Sequence, residues 1–318
     1  NTAMGINSLL LSGGNSGNTA IGSNSMYGCI NGNSNTSLGS DSLKGNCANY
    51  NVAIGWSCML YCTILAQSNV AVGAAALQFV GDGINNVAVG TSALGTSTAS
   101  NLTAVGYNAL VSNTTGALNT AVGYTALSAN LTGAANTAVG YQALTLATGS
   151  NNTALGGGCL SALTTGSGCT AVGSSALLLQ SSSSNTTAVG YNALAANTAA
   201  NNTAVGSGTM QLNTSGTQNT ALGYNTLTTN LIGTSSTAIG YNALTLATGS
   251  SNTAVGSGAG SSISSGGSNI CIGSTAGSAL TTTSNNIIIS NTAIVTDSGF
   301  IRIGTSGTHV KNFQAGIR

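Results

Sequence analysis

The chain has 318 residues with 4 Lys and Arg, 3 Asp and Glu and a single His, so 2% of it is charged, where a globular domain runs near ~25%. Acid–base, metal-dependent and phosphate chemistry need clustered ionisable side chains; there is no Glu, and no Asp, Glu, Lys, Arg or His between Asp82 and Asp297, so no catalysis, cofactor or metal is expected. A net charge of +1 supplies no footprint for nucleic acid, and the longest apolar stretch, around Cys58 to Ala66, is far short of the ~18 residues of a membrane span, so membrane insertion is not expected either.

From its first residues the chain repeats one phrase: Asn, Thr or Val, Ala, an aliphatic residue, then Gly. The glycine falls at Gly5, Gly22, Gly39, Gly55, Gly73, Gly90, Gly106, Gly123, Gly140, Gly156, Gly173, Gly190, Gly206, Gly223, Gly240, Gly256 and Gly273, which makes 17 copies. The step from one glycine to the next varies only slightly, and Thr137 to Gly158 matches Thr237 to Gly258 at 17 of 22 positions, the mark of duplication. The opening at Asn1 is already mid-repeat, so the expected N-terminus is processed or lies outside this sequence. After each glycine come a small residue at +3 and usually Leu or Met at +4, as in Ala109-Leu110 and Ala126-Leu127, then a run of turn chemistry rich in Ser, Thr, Asn, Gly and Ala.

Apolar residues do not recur at helical spacing, so two short strands per coil are expected. A coil of ~17 residues cannot bury a core alone; coils must stack, each strand pairing in parallel with its equivalents at ~4.8 Å. The expected fold is therefore all-β, a parallel β-roll or β-solenoid of ~17-residue coils. Residues 1–284 form the repetitive solenoid, a rod of roughly 77 Å, and residues 285–318 a C-terminal cap or junction.

In Thr120-Ala121-Val122-Gly123, alternation puts Thr and Val on one face and Ala and Gly on the other. If core volume decides, the Thr/Val face with Leu lies inside, and the alanine column points out. Ala88, Ala104, Ala121, Ala138, Ala154, Ala171, Ala188, Ala204, Ala221, Ala238 and Ala254 are then the expected subunit interface, because a bare methyl strip in water favours association. The threonine column at Thr120, Thr137, Thr153, Thr170, Thr187 and Thr203 would be internal.

Cys29, Cys47 and Cys62 lie at offsets +7, +8 and +7 from their glycines, within disulfide reach in stacked coils; Cys47 is expected to pair with Cys29 or Cys62. Cys58, Cys159 and Cys271 occupy small positions and read as buried hydrophobes. Tyr107, Tyr124, Tyr141, Tyr191, Tyr224 and Tyr241 follow the glycine, as does Trp56; stacking on the next coil is preferred over a carbohydrate-contact role. Sequons begin at Asn35, Asn101, Asn113, Asn130, Asn151, Asn185, Asn201 and Asn213, of which Asn113, Asn130 and Asn213, in the loops, are the expected glycosylation sites. His309 reads as an ordinary residue of the C-terminal segment.

The phrases Asn51-Val52-Ala53-Ile54-Gly55 and Asn86-Val87-Ala88-Val89-Gly90 resemble the head repeats of trimeric autotransporter adhesins. That resemblance, over residues 1 to about 290, implies a left-handed β-roll assembled as a homotrimer. It departs in its longer period and in Thr for Val. The longer phrase Asn-Thr-Ala-Val-Gly-Tyr-Asn-Ala-Leu is similar to repeats in fibre proteins of phages, large viruses and some bacteria. Gly299 to Thr308 and Phe313 to Ile317 resemble the junction that in such fibres precedes a C-terminal intramolecular chaperone domain, here either removed in maturation or outside the sequence.

The function expected is a non-enzymatic structural and adhesive fibre, shaft or head, on a cell or virion surface. Its partners are itself and an unidentified receptor or surface glycan. Two alternatives are a homopolymeric end-to-end filament and an ice- or crystal-surface binder; the placement of the threonines inside counts against the latter.

Overall fold

A computed structural model of the chain describes residues 1–11 and 13–305, so His309 and the Phe313–Ile317 end of the junction lie outside the described residues. Among them there is no helix, and every sheet pairing is parallel and links equivalent positions of neighbouring coils. The fold is an all-β parallel solenoid with coils about 17 residues apart. It falls into two compact units, residues 1–174 and 175–318.

In the first unit the ladder runs coil by coil from Thr2–Met4 to Thr170–Val172. In the second it runs from Thr187–Val189 to Ile301–Ile303. Unequal steps leave the register intact: Val52 pairs with Val70 over a long step, and Thr137 pairs with Thr153 over a short one. Loops absorb the difference. The ladder also continues past residue 284, with Ile287 paired to Ile270 and Ile301 to Ile287. The change of spelling at 284 is thus not an end of the sheet.

The second strand expected in each coil exists in only three coils, where Tyr61–Cys62, Phe79–Val80 and Thr96–Ser97 form a small parallel sheet of the first unit. Elsewhere that stretch is a turn that places residues in the left-handed region: Thr125 at φ 49°, Leu127 at φ 52°, Ala135 at φ 56°. Such a conformation costs ~1–2 kcal/mol per non-glycine residue. It is held because it aims backbone groups along the stacking direction: Thr125 N–H donates to Tyr107 O at 2.9 Å, and Leu127 N–H to Ala143 O at 3.0 Å. The phrase glycine has a stricter requirement. At Gly140, φ is +137° and a Cβ would sit 2.6 Å from the carbonyl oxygen of Gly156 in the next coil.

The alanine column faces inward, which overturns the expectation of an alanine subunit interface. In the first unit Ala88, Ala104, Ala121, Ala138, Ala154 and Ala171, and in the second Ala188, Ala204, Ala221, Ala238 and Ala254, are at most 1% exposed within the single chain. The flanking residues of the strand, Thr120 and Val122 among them, lie on the outer face, half-buried. The volume argument failed because the coil is thin. Strand and opposite turn are one small side chain apart, as Ser37 shows: placed in the alanine column, its hydroxyl donates to Ser42 Oγ, at +3 of the opposite turn, at 2.9 Å. Ala, Ser or Cys occupies this column from Ala20 to Cys271, with the larger Ile288 buried at the equivalent position of the following coil, and the +4 side chains, Leu110, Leu127 and Leu144 among them, fill the remaining space with no exposure.

A buried asparagine binds most coils to the next, its place being taken by Leu102, Cys169, Thr186 and Ser236 in four of them. Asn136 Oδ1 accepts from the N–H of Asn152 at 2.9 Å, while its Nδ2 donates to Gly149 O at 2.9 Å. The pattern recurs in the second unit, where Asn202 accepts from Asn219 N–H at 2.9 Å and donates to Gly216 O at 2.7 Å. Replacing Asn136 with Ala orphans two buried backbone groups at ~1–3 kcal/mol each; urea unfolding should register a loss of about 2–6 kcal/mol, against less than about 0.5 kcal/mol for Thr132→Ala on an exposed turn.

At the last described coil, the Arg302 guanidinium holds both carboxylate oxygens of buried Asp297, with Nη2 to Oδ1 at 2.7 Å, and Ile294 N–H donates to the same carboxylate at 3.0 Å. Arg302 is first among the causes that lower the Asp297 pKa below its usual value, outweighing desolvation. A depressed carboxylate stabilises above its unfolded pKa of about 3.9 and loses that contribution as pH falls through the lower folded value. Hydrogen-exchange protection factors at Ile301–Ile303, corrected for the intrinsic pH dependence of exchange, should therefore fall near pH 2 relative to pH 6, and Asp297→Asn should remove that change in protection.

Candidate functional site

Outside the coil the strands present two parallel columns. One is threonine: Thr103, Thr120, Thr137, Thr153 and Thr170 in the first unit, matched pair by pair across the ladder. The other is aliphatic and lies one residue before the glycine. In the first unit it includes Val89, Val122 and Leu155, the last 42% exposed; in the second it includes Leu222, Ile239 and Ile272, with Leu222 at 47%. No charged residue lies between Asp82 and Asp297 to interrupt either column. Outward aliphatic columns of this kind, half-buried at Val122 and exposed at Leu155, are candidate interaction surfaces.

Next to this face the tyrosines stack ring on ring. Centroids of Tyr107 and Tyr124 are 5.3 Å apart, those of Tyr124 and Tyr141 5.4 Å, and in the second unit those of Tyr224 and Tyr241 5.7 Å. Both faces of Tyr124 are covered by its neighbours, which leaves its edge and hydroxyl to solvent.

The residues at offset +7, with Cys47 at +8, line the interior. Cys47 is bonded to Cys62 across a Cα separation of 5.2 Å, and Cys29 is free and buried. Asn113, Asn130 and Asn213 are also interior, with no exposure at all, so they are not the accessible glycan acceptors expected of loop asparagines. Asn113 Nδ2 donates to Ser97 Oγ at 3.1 Å and Asn130 Nδ2 to Asn113 Oδ1 at 2.7 Å; in the second unit Asn213 and Asn230 form a separate chain of the same kind, the latter donating to Asn213 Oδ1 at 3.1 Å. The turn backbone, not the side chain, occupies the surface there. The remaining thiols are packed small residues: burial pushes Cys58 up to about 12 and Cys159 and Cys271 up to about 11, which keeps them protonated and unreactive.

One concave site concentrates charge. A cleft of about 380 Å³ in the first unit is lined by Tyr27, Asp41, Lys44, Gly45, Ser57, Leu60 and Tyr61. Lys44 Nζ lies 2.9 Å from Asp41 Oδ1, which also accepts from Asn24 Nδ2 at 3.1 Å. The Lys44 hydrogen bond depresses the Asp41 pKa, and Asp41 in turn raises that of Lys44. Counting charges along the chain missed this site, although Tyr27, Lys44 and Tyr61 recur at even spacing on successive coils. A second cleft, of about 340 Å³ in the second unit, is lined by hydroxyl and amide side chains such as Thr275, Asn291 and Thr305, without charge or aromatic ring. No group of three or more His, Cys, Asp or Glu gathers among the described residues, and no helix there is long and apolar enough to cross a membrane. Compared with protein-family models and with curated proteins, the chain matches none.

The buried +7 column predicts a chemical pattern. Peptide mapping of non-reduced protein should yield a Cys47–Cys62 cross-link, with Cys29 alkylated only after unfolding. Material secreted by a glycosylating host should carry no glycan on Asn113, Asn130 or Asn213, and occupancy at any of them would contradict their buried placement.

Proposed function

We propose that this chain is a non-enzymatic structural and adhesive fibre segment, displayed outside a cell or virion, that assembles as a homotrimer through the outer face of its parallel sheet. The observation that carries this reading is the outward-facing aliphatic column beside the threonines, half-buried to exposed and uninterrupted by charge between Asp82 and Asp297. Natural sheets with solvent-facing aliphatic strips are covered by a partner or carry charges that prevent pairing. Here the charges are missing. The likeness of the phrase to adhesin head repeats and fibre repeats supports a trimer, and the Cys47–Cys62 bond supports an oxidising compartment. A solenoid whose stability sums over coil–coil interfaces suits a mechanical role.

A second reading draws on the same face. Because the threonines stand on the outside in a regular ladder, rather than in the core, binding to ice or another crystal surface is favoured more than volume arguments allow.

Light scattering separates these readings. Wild-type protein should be trimeric, and the pair Val122→Asp with Val139→Asp should yield folded monomer, because both side chains are outside the coil. Ala121→Leu should instead destabilise folding by roughly 1–3 kcal/mol through overpacking. A monomeric wild type, or Asp variants that remain trimeric, would overturn the proposed interface; ice-crystal shaping by wild type lost in Thr120→Val with Thr137→Val would favour the second reading.

A further inference from the structure

We propose that the cleft between Tyr27 and Tyr61 is a binding site for a neutral saccharide. The inference rests on the attachment half of the reading above and names the class of ligand.

Aromatic geometry is the first argument. Tyr61 stacks on Phe79 of the following coil, with centroids 4.8 Å apart, yet stays 57% exposed. Toward the preceding coil it borders the cleft together with Lys44 and Gly45. The ring is a platform backed by Phe79 and exposed at the cleft. A pyranose presents a face of C–H groups suited to such a platform, since an aromatic ring combines apolar area with a polar handle.

The polar groups are the second. Asp41 Oδ1 is occupied by Lys44 and Asn24, but Oδ2 accepts only a 3.3 Å bond from Ser40 Oγ, and so has lone pairs to spare. Lys44 Nζ uses one of its three protons on Asp41, and the Ser57 hydroxyl lines the same cleft. Acceptor, donor and hydroxyl therefore stand together with no net charge. An anionic ligand would meet the carboxylate and a cationic one the ammonium, whereas vicinal hydroxyls, each both donor and acceptor, match the pair. At about 380 Å³ the cleft is within the range of small-molecule sites, ~300–1,000 Å³.

A covalent clamp is the third. The disulfide joins Cys47 to Cys62, the residue after Tyr61. It fixes the coil carrying Asp41 and Lys44 to the coil carrying Tyr61, so the two walls are preorganised.

The test is an array of neutral oligosaccharides ending in galactose, glucose, mannose, fucose or N-acetylglucosamine, printed beside sialylated and sulfated ones. It is probed with wild type, Tyr61→Ala, Asp41→Asn and Tyr141→Ala, each first checked for folding by circular dichroism and for size by light scattering. Tyr141 is the control because it also ends a ring ladder, beside Gly157, but lies in the stretch between Asp82 and Asp297 that has no Asp, Glu, Lys, Arg or His. Expected is retention of wild type and Tyr141→Ala on a subset of neutral sugars, with at least a tenfold loss for Tyr61→Ala and Asp41→Asn and a several-fold loss on reducing Cys47–Cys62. Retention of no neutral sugar, retention on anionic sugars alone, or equal retention by all four proteins would overturn the assignment. If wild type adheres to cells yet retains no saccharide, the cleft assignment fails and the attachment reading stands. A monomeric wild type that retains sugar would leave the cleft standing without the fibre.

Discussion

Everything in this molecule follows from the requirement that each coil hydrogen-bond, in register, to the coil before and after it. Strands meet the requirement over only a short stretch of each coil, such as Thr120–Val122. The rest is met by turn residues forced into the left-handed region and by asparagines whose amides span consecutive coils. A side-chain amide is uncharged and both donates and accepts at the required reach, so Asn51, Asn69 and Asn86 repeat at the same place, each accepting from the backbone N–H of its successor. Buried as they are, these groups would be costly if unpaired; stacked, they satisfy one another and the turn carbonyls.

Thin coils make an unusual division between inside and outside. Because strand and facing turn are so close, the core is alanine backed by leucine, and the larger Val, Ile and Thr side chains are left on the surface. The usual rule that larger aliphatic residues lie inside gives way to geometry. That inversion produces the aliphatic and threonine columns on which association is proposed.

The +7 column shows how a repetitive fold acquires positional identity. Its members change type in blocks of neighbours: a disulfide between Cys47 and Cys62, hydrogen-bonded polar residues from Ser97 to Asn130, then apolar Ala147 and Leu163. Where the block changes, a cost remains, for the buried Asn130 Oδ1 has no hydrogen-bond partner. A slip of one coil would place such groups against apolar neighbours throughout, so matched blocks oppose misregistration.

Periodicity in the sequence was enough to establish the all-β solenoid, its step and the pairing of equivalent positions, because stacking requires like to meet like once per coil. It also located the tyrosine ladders and brought Cys47 within reach of two partners, since offsets from the glycine translate directly into height along the stack. It left open which side of the strand is the core, because alternation marks two faces without saying how far away the opposite wall lies. Coil thickness, a property of the closed turn, decided that Ala121 is inside and Val122 outside, that Asn113 is buried in what reads as an accessible loop, and that Cys47 bonds to Cys62 rather than to Cys29. The cleft also belongs to the tertiary structure: Tyr27, Asp41, Lys44 and Tyr61 lie on three different coils, and only stacking brings them together.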